Sequence, residues 1–251
     1  DWINNKVYLF DKNSSTPHWS YLDSNEVRIV DISADGEYIV SSNSYDEEIH
    51  LFERSSGTPK WSYTTEGYIY TVAISANGEY IATGSGDQKI YLFNKNSSNP
   101  LWSYEADGHI DSVALSANGE YIVAGSDDGK VYLFNKDSST PLWNYYSGNG
   151  RMYRVDISLD GEYIAAGYNG GDNDILYLFD KDSSTPLWSY NLGNNVYSIS
   201  ISADGEYVAV GEEDGKVYLF DKDISTPLWN YTAENHAVSV SLSADGEYLA
   251  V

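Results

Sequence analysis

The chain has 251 residues, 15% of them aromatic, no cysteine and a formal charge of −24. That acidity argues against nucleic acid and anionic membranes as partners, because repulsion from phosphates opposes the counterion release that drives such binding. The missing cysteine excludes disulfides, thiolate metal sites and cysteine nucleophiles.

In chain order the same elements return six times. First comes a strand whose leucine precedes Phe, at Leu9, Leu51, Leu92, Leu133, Leu178 and Leu219. A Pro-x-Trp strand follows, carrying Trp19, Trp61, Trp102, Trp143, Trp188 and Trp229. Next is an alternating strand that ends at a turn glycine, one of Gly36, Gly78, Gly119, Gly161, Gly205 and Gly246, and then a fourth strand before the next leucine. Leu to Trp is always 10 residues; Trp to Gly is 17, or 18 after Trp143; Gly to Leu is 14, with 15 before Leu51 and 17 before Leu178. Insertions are therefore confined to two loops, and a period of about 41 residues marks stacked supersecondary units.

Residues 202–229 serve as the template. The stretch Val196 to Ser202 alternates and ends at Asp-Gly, which suggests a two-residue hairpin turn. A second strand is expected from Glu206 to about Gly211, and a third over Lys216 to Phe220, apolar on both faces and so covered on both. All six prolines stand two residues before a landmark Trp. Proline donates no ladder bond, so the Trp strand is expected to form the outer edge of each sheet.

Such sheets, unstable alone, bury both faces by radial stacking. The expected fold is all-β, a single domain over 1–251: a six-bladed β-propeller of four-stranded antiparallel blades. Joining the ends places Gly246 14 residues before Leu9, so the N-terminal strands would complete the C-terminal blade. An incomplete seven-bladed propeller is the alternative. The six landmark tryptophans are expected to dock between blades, and truncating Trp102 to lower the melting midpoint.

SADGEYVAVG and SDDGKVYLF resemble the WD-repeat pattern, and FDKDSSTPLW is similar to the tryptophan-docking segment of quinoprotein-type (PQQ-like) propellers. The resemblance covers the whole chain and implies architecture. Phe10-Asp11, Phe52-Glu53, Phe93-Asn94, Phe134-Asn135, Phe179-Asp180 and Phe220-Asp221 replace the Trp-Asp dipeptide, and only Gly108-His109 echoes the Gly-His pair. Trp docking is expected to substitute for that family's hydrogen-bonded tetrad. By resemblance alone, hydrolase or quinoprotein-dehydrogenase activity is an alternative.

Function is expected at the loops that join second to third strands and one blade to the next, because non-repeated residues collect there. Candidate binding residues are Trp2, Tyr45, Tyr68, Tyr146, Arg151, Tyr153 and Tyr168, with Met152 beside them. Along the first strands, Arg28, Asp31, Asp111, Arg154 and Asp156 would face the propeller axis, pairing with one another or holding a small ligand. Asn169 to Asp174 alternates oxygen ligands but lacks a Glu at loop spacing, so a plain turn is preferred to a calcium loop. His18, His50, His109 and His236 show no metal-ligand spacing and read as local substitutions. No G-x-S-x-G elbow, P-loop or G-x-G-x-x-G is present, and no cofactor or metal is expected.

The reading is a non-catalytic interaction scaffold, a monomeric disc with a protein or cell-surface glycan partner; a lectin-like propeller is the alternative. No apolar run is long enough to insert in a membrane. Sequons at Asn13, Asn96 and Asn230 point to glycosylation and an extracellular or cell-surface location, with a cytoplasmic one left open. The chain opens at Asp1, so the lack of a leader does not count against secretion.

Overall fold

The computed structural model describes residues 5–43, 47–171 and 174–251. The chain divides into two compact units, residues 1–110 and 111–251. Every described element is a β-strand.

In the first unit, β1 (Lys6–Phe10) and β2 (Pro17–Leu22) form a two-stranded sheet. Two four-stranded sheets follow, β3 (Val27–Ile32) with β4 (Tyr38–Asn43), β5 (Glu48–Glu53) and β6 (Trp61–Thr64), then β7 (Ile69–Ile74) with β8 (Tyr80–Ser85), β9 (Lys89–Asn94) and β10 (Trp102–Glu105). The second unit has three more: β11 (Ile110–Leu115) to β12 (Tyr121–Ser126), β13 (Lys130–Asn135) and β14 (Trp143–Tyr146); β15 (Arg151–Ile157) to β16 (Tyr163–Asn169), β17 (Ile175–Asp180) and β18 (Trp188–Asn191); and β19 (Val196–Ile201) to β20 (Tyr207–Glu212), β21 (Lys216–Asp221) and β22 (Trp229–Thr232). It ends in a two-stranded sheet of β23 (Ser241–Leu242) and β24 (Leu249–Ala250).

Each four-stranded sheet is a propeller blade with its strands in sequence order and the Trp strand at one edge, as the prolines suggested. Five of the expected six blades form complete four-stranded sheets, and the strands at the two chain ends form one two-stranded sheet each. The third strands are buried on both faces, with Phe52, Phe93, Phe134, Phe179 and Phe220 fully enclosed.

The Asp-Gly turn differs from the expected two-residue hairpin. Ile32 pairs with Ile39 and the Ser33 amide donates to the Tyr38 carbonyl, so Ala34 to Glu37 form a four-residue loop. Its polar residues close it: Asp35 Oδ1 accepts Ser33 Oγ at 2.6 Å and the Glu37 amide at 2.9 Å, while Ser33 Oγ accepts the Tyr38 amide at 3.0 Å. The glycine is required at φ +70° in Gly36 and +74° in Gly205. A Cβ on Gly205 would also stand 2.3 Å from the Tyr163 ring of the preceding blade. We expect Gly205→Ala to lower stability by roughly 1–3 kcal/mol, measured by urea denaturation.

Neighbouring blades within a unit join at three levels. At the turn end, amide-to-carbonyl bonds link Ala34 to Ala76 in the first unit, and Ala117 to Leu159, Leu159 to Ala203 and Ala203 to Ala244 in the second, at 2.9–3.0 Å. At the outer edge, Nε1 of Trp19, Trp61, Trp143 and Trp188 donates to the carbonyls of Arg54, Lys95, Lys181 and Lys222, and each indole lies 5.2–5.4 Å from the next blade's Phe. Trp102 is half-buried. Trp229 departs from the docking expectation and is 43% exposed, because the sheet after it in its unit, β23–β24, offers no third strand for the indole to rest on.

The third level is the first strands, where Asp31 and Asp156 bond backbone amides rather than the arginines expected as their partners. Asp31 spans two backbone amides, its own neighbour Ile32 at 2.8 Å and Ile74 of the next blade at 2.9 Å; Asp156 does the same for Ile157 and Ile201, both at 2.9 Å. Arg154 instead donates to the carbonyls of Tyr197 and Tyr153, and Arg28 stands 3.6 Å from Glu26. Amides projecting from one first strand toward the next need acceptors, and a carboxylate supplies two. Ser112, Ser198 and Ser200 do the same work with one hydroxyl each, accepting from Val155, Val240 and Leu242.

Candidate binding surface at the loop ends

Antiparallel order places the loops from second to third strand, and from one blade to the next, at the same end of each sheet. Two register positions there vary in chemistry: the residue just before the first strand's opening, and the second residue of that strand.

In the first unit these positions hold Glu26, Arg28, Tyr68, Tyr70 and His109. Tyr68 is 49% exposed. Tyr70 stacks on His109 with ring centroids 5.9 Å apart and planes 26° from parallel. Gly86 gives the pair room, since a Cβ there would approach the Tyr70 ring to 3.3 Å. The adjoining turn is braced by Asp87, which accepts the Lys89 amide at 2.9 Å, the Glu66 amide at 3.1 Å and the Tyr91 hydroxyl at 2.6 Å. Burial, followed by that bond, raises the Tyr91 phenol strongly.

The second unit carries a denser set. Arg151 grips Asp127 through Nε at 2.5 Å and through its terminal nitrogen at 3.0 Å. Asp111 is pushed up to about 7, first by burial and then by the Asp127 charge, which Arg151 and Arg154 only partly offset. Arg154 lies over the Tyr153 ring at 4.0 Å. Tyr197 faces the His236 ring at 6.0 Å. Glu213 is held below the usual carboxylate range by Asn195, which donates at 2.7 Å, and by Tyr197. Tyr146 is 52% exposed, with its hydroxyl on Asn149 Oδ1 at 2.5 Å.

Of the residues expected to bind, Tyr68, Tyr146 and Arg151 are exposed and Tyr153 is half-buried under Arg154. Tyr168 is corrected: it is 6% exposed, packs in the core with Met152 and accepts the Gly150 amide on its hydroxyl at 2.8 Å. Trp2 and Tyr45 lie outside the described residues. Sequence reasoning passed over Tyr70, His109, Asp127, Tyr197, Glu213 and His236 as site residues. The signal was present in the register, because Tyr70 and Tyr197 share one repeat position and His109 and His236 another.

In the stretch Asn169–Asp174, read as a plain turn in preference to a calcium loop, Asp172 and Asn173 lie outside the described residues. Asp174 is buried and accepts the Gly170 amide at 2.9 Å, and Asn169 is engaged with both backbone groups of Val196. Among the described residues no set of three His, Asp or Glu is arranged to hold a metal ion. Two cavities lie elsewhere, about 740 Å³ beside Phe10 and His18 in the first unit and about 490 Å³ beside Trp229 and Tyr231 in the second. The first lies between the β1–β2 hairpin and the β3–β6 sheet and is lined in part by Asp11, Lys12, His18, Asp35 and Arg54, and the second lies between β21–β22 and β24.

Repeated four-stranded blades, stapled through indoles and turn amides, define a protein of the β-propeller repeat class. Residues 3–158 match the PQQ-type family model described as outer membrane protein assembly factor BamB, more than half of the chain, and the chain belongs to that family. Residues 185–221 are also similar to the WD domain, G-beta repeat. No curated protein matches the chain.

Proposed function

We propose that the chain is a binding scaffold that presents its loop ends to a protein partner. The observation that carries this reading is the division of labour within each blade. At the turn end the residues repeat and bond to one another, while at the loop end Tyr68, Tyr70, Tyr146, Arg151, Tyr153 and Tyr197 break the repeat and include exposed aromatic and arginine side chains. Such residues dominate binding hot spots. The family description, an assembly factor for outer membrane proteins, supports a protein as the partner. The exposed sequon residues Asn13, Asn96 and Asn230 support an extracellular or cell-surface location.

A glycan is the second reading, favoured by the exposed Tyr68 beside the stacked Tyr70–His109 pair. To test both, the chain and a Tyr68→Ala/Tyr146→Ala/Arg151→Ala variant would be compared in cross-linking against secreted and surface proteins and on a glycan array. The variant should remain folded by circular dichroism and lose at least about tenfold in retained partner. Equal retention by parent and variant would reject the loop ends as the binding surface.

A further inference from the structure

One third strand departs from the others. Tyr8, Tyr91, Tyr132, Tyr177 and Tyr218 occupy the position at which β5 carries His50. The register sets these tyrosines opposite Ser20, Ser103, Asn144, Ser189 and Asn230 on the outer strands, and sets His50 opposite Ser62. The exchange changes the chemistry open to one serine.

Ser62 Oγ lies 2.7 Å from His50 Nδ1, and Nε2 of the same imidazole lies 3.2 Å from Asp23 Oδ2. The imidazole and the carboxylate are buried, with side chains 3% and 0% exposed, whereas Ser62 is at the surface. Asn43 Nδ2 donates to Asp23 Oδ1 at 2.7 Å, and the Tyr21 ring meets His50 edge-on at 5.4 Å. Burial alone would raise the Asp23 carboxyl, but the nearby His50 imidazole and the bond from Asn43 outweigh it and hold the group below its ordinary value. Asp23 Oδ2 and His50 Nε2 do not complete a hydrogen bond with each other, but the Asp23 and Glu48 carboxylates, 3.2 and 3.7 Å from Nε2, favour the imidazole proton on Nε2 and so leave the Nδ1 lone pair for the Ser62 hydroxyl. A hydroxyl bonded to an oriented base is the arrangement that activates a serine.

We propose that Ser62 is a modification site, a nucleophile toward acyl and phosphonyl donors, with His50 as its general base and Asp23 as a positioning residue. With an aryl ester, Ser62 Oγ bonds to the carbonyl carbon as its proton passes to Nδ1. The carbon–phenolate bond then breaks and the phenolate takes that proton, leaving an acylated Ser62, a phenol and a neutral imidazole. The site stands on the outer strand and is independent of the loop-end reading.

The chain supplies its own controls, because Ser20, Ser103 and Ser189 are also exposed at the same strand position but face tyrosine. The whole chain would be treated with a fluorophosphonate and with p-nitrophenyl acetate, and adducts mapped by mass spectrometry. Ser62 should react at least about tenfold faster than the other three. Ser62→Ala should abolish that adduct, and Asp23→Asn, confirmed as folded by circular dichroism, should slow it and alter the pH profile. Reaction of Ser62 no faster than Ser20, Ser103 and Ser189, no adduct at all, or an unchanged rate and profile in Asp23→Asn would overturn the assignment.

Discussion

Trp188→Ala should be among the most damaging single substitutions in the chain, lowering stability by about 3–5 kcal/mol. The indole rests 5.4 Å from Phe220 and donates Nε1 to the Lys222 carbonyl at 2.7 Å, so truncation opens a cavity at the seam and leaves that carbonyl without its donor. For a chain of this size the loss corresponds to a fall in Tm of roughly 10 °C. Trp229→Ala is the matched comparison. Trp229 has the same strand position and is 43% exposed in its unit, so its truncation should cost less than half as much. Calorimetry on both variants decides the matter. Equal losses would mean that Trp229 is docked in solution, and a negligible loss at Trp188 would remove the indoles from the account of what joins the blades.

Stability should rise, by roughly 5 °C in Tm, as pH falls from 8 to 5. Burial pushes Asp156 up to about 6 against the amide bonds from Ile201 and Ile157. Glu212 is pushed up to about 7, again chiefly by burial, and Asp111 to about 7 by burial and Asp127. In the unfolded chain these carboxyls titrate near 4. Between about pH 4 and 7 the folded chain therefore binds more protons than the unfolded one. The stability tied to these groups is complete below the unfolded value and is lost as pH rises through the folded one. Asp35, Asp204, Asp245 and Glu213 are shifted the other way, lowered mainly by hydrogen bonds, and their contribution disappears in stronger acid. The optimum should accordingly lie between about pH 4 and 5. Relief of repulsion from the −24 formal charge acts in the same direction.

The repeat itself supplies the variant that isolates one term. Ser200 occupies the position of Asp156 one blade later and accepts the Leu242 amide at 3.0 Å. Asp156→Ser should retain an acceptor for Ile201 while removing the charge, raising Tm at pH 8 and narrowing the difference between pH 5 and 8. A Tm that climbs from pH 5 to 8 in the parent chain, or an undiminished difference in Asp156→Ser, would show that these carboxyls are not raised.

Much of the fold was legible because it is written six times. Proline two residues before Trp marked the outer edge, and apolar residues on both faces of Lys216–Phe220 marked a strand covered on both sides. The turn was misjudged because Asp-Gly resembles a two-residue hairpin, and only the bonds of Ser33 and Asp35 show that four residues are enclosed. The site was legible in part. Tyr146 and Tyr168 both break the repeat, and their sequence surroundings do not separate them, yet one is at the surface and the other bonds the Gly150 amide inside the core.

By itself the sequence determined the repeat, the strand order within a blade and the edge strand, since these follow from spacing and from the alternation of apolar side chains along a strand. Tertiary structure alone decided which polar groups meet. Asp31 with the Ile74 amide, Asp156 with that of Ile201, Tyr70 with His109, and His50 with Asp23 and Ser62 are partners 12 to 45 residues apart. Periodicity places each of them on a strand or at its end, but a hydrogen bond or ring contact depends on ångström-scale approach between elements, which no local pattern encodes.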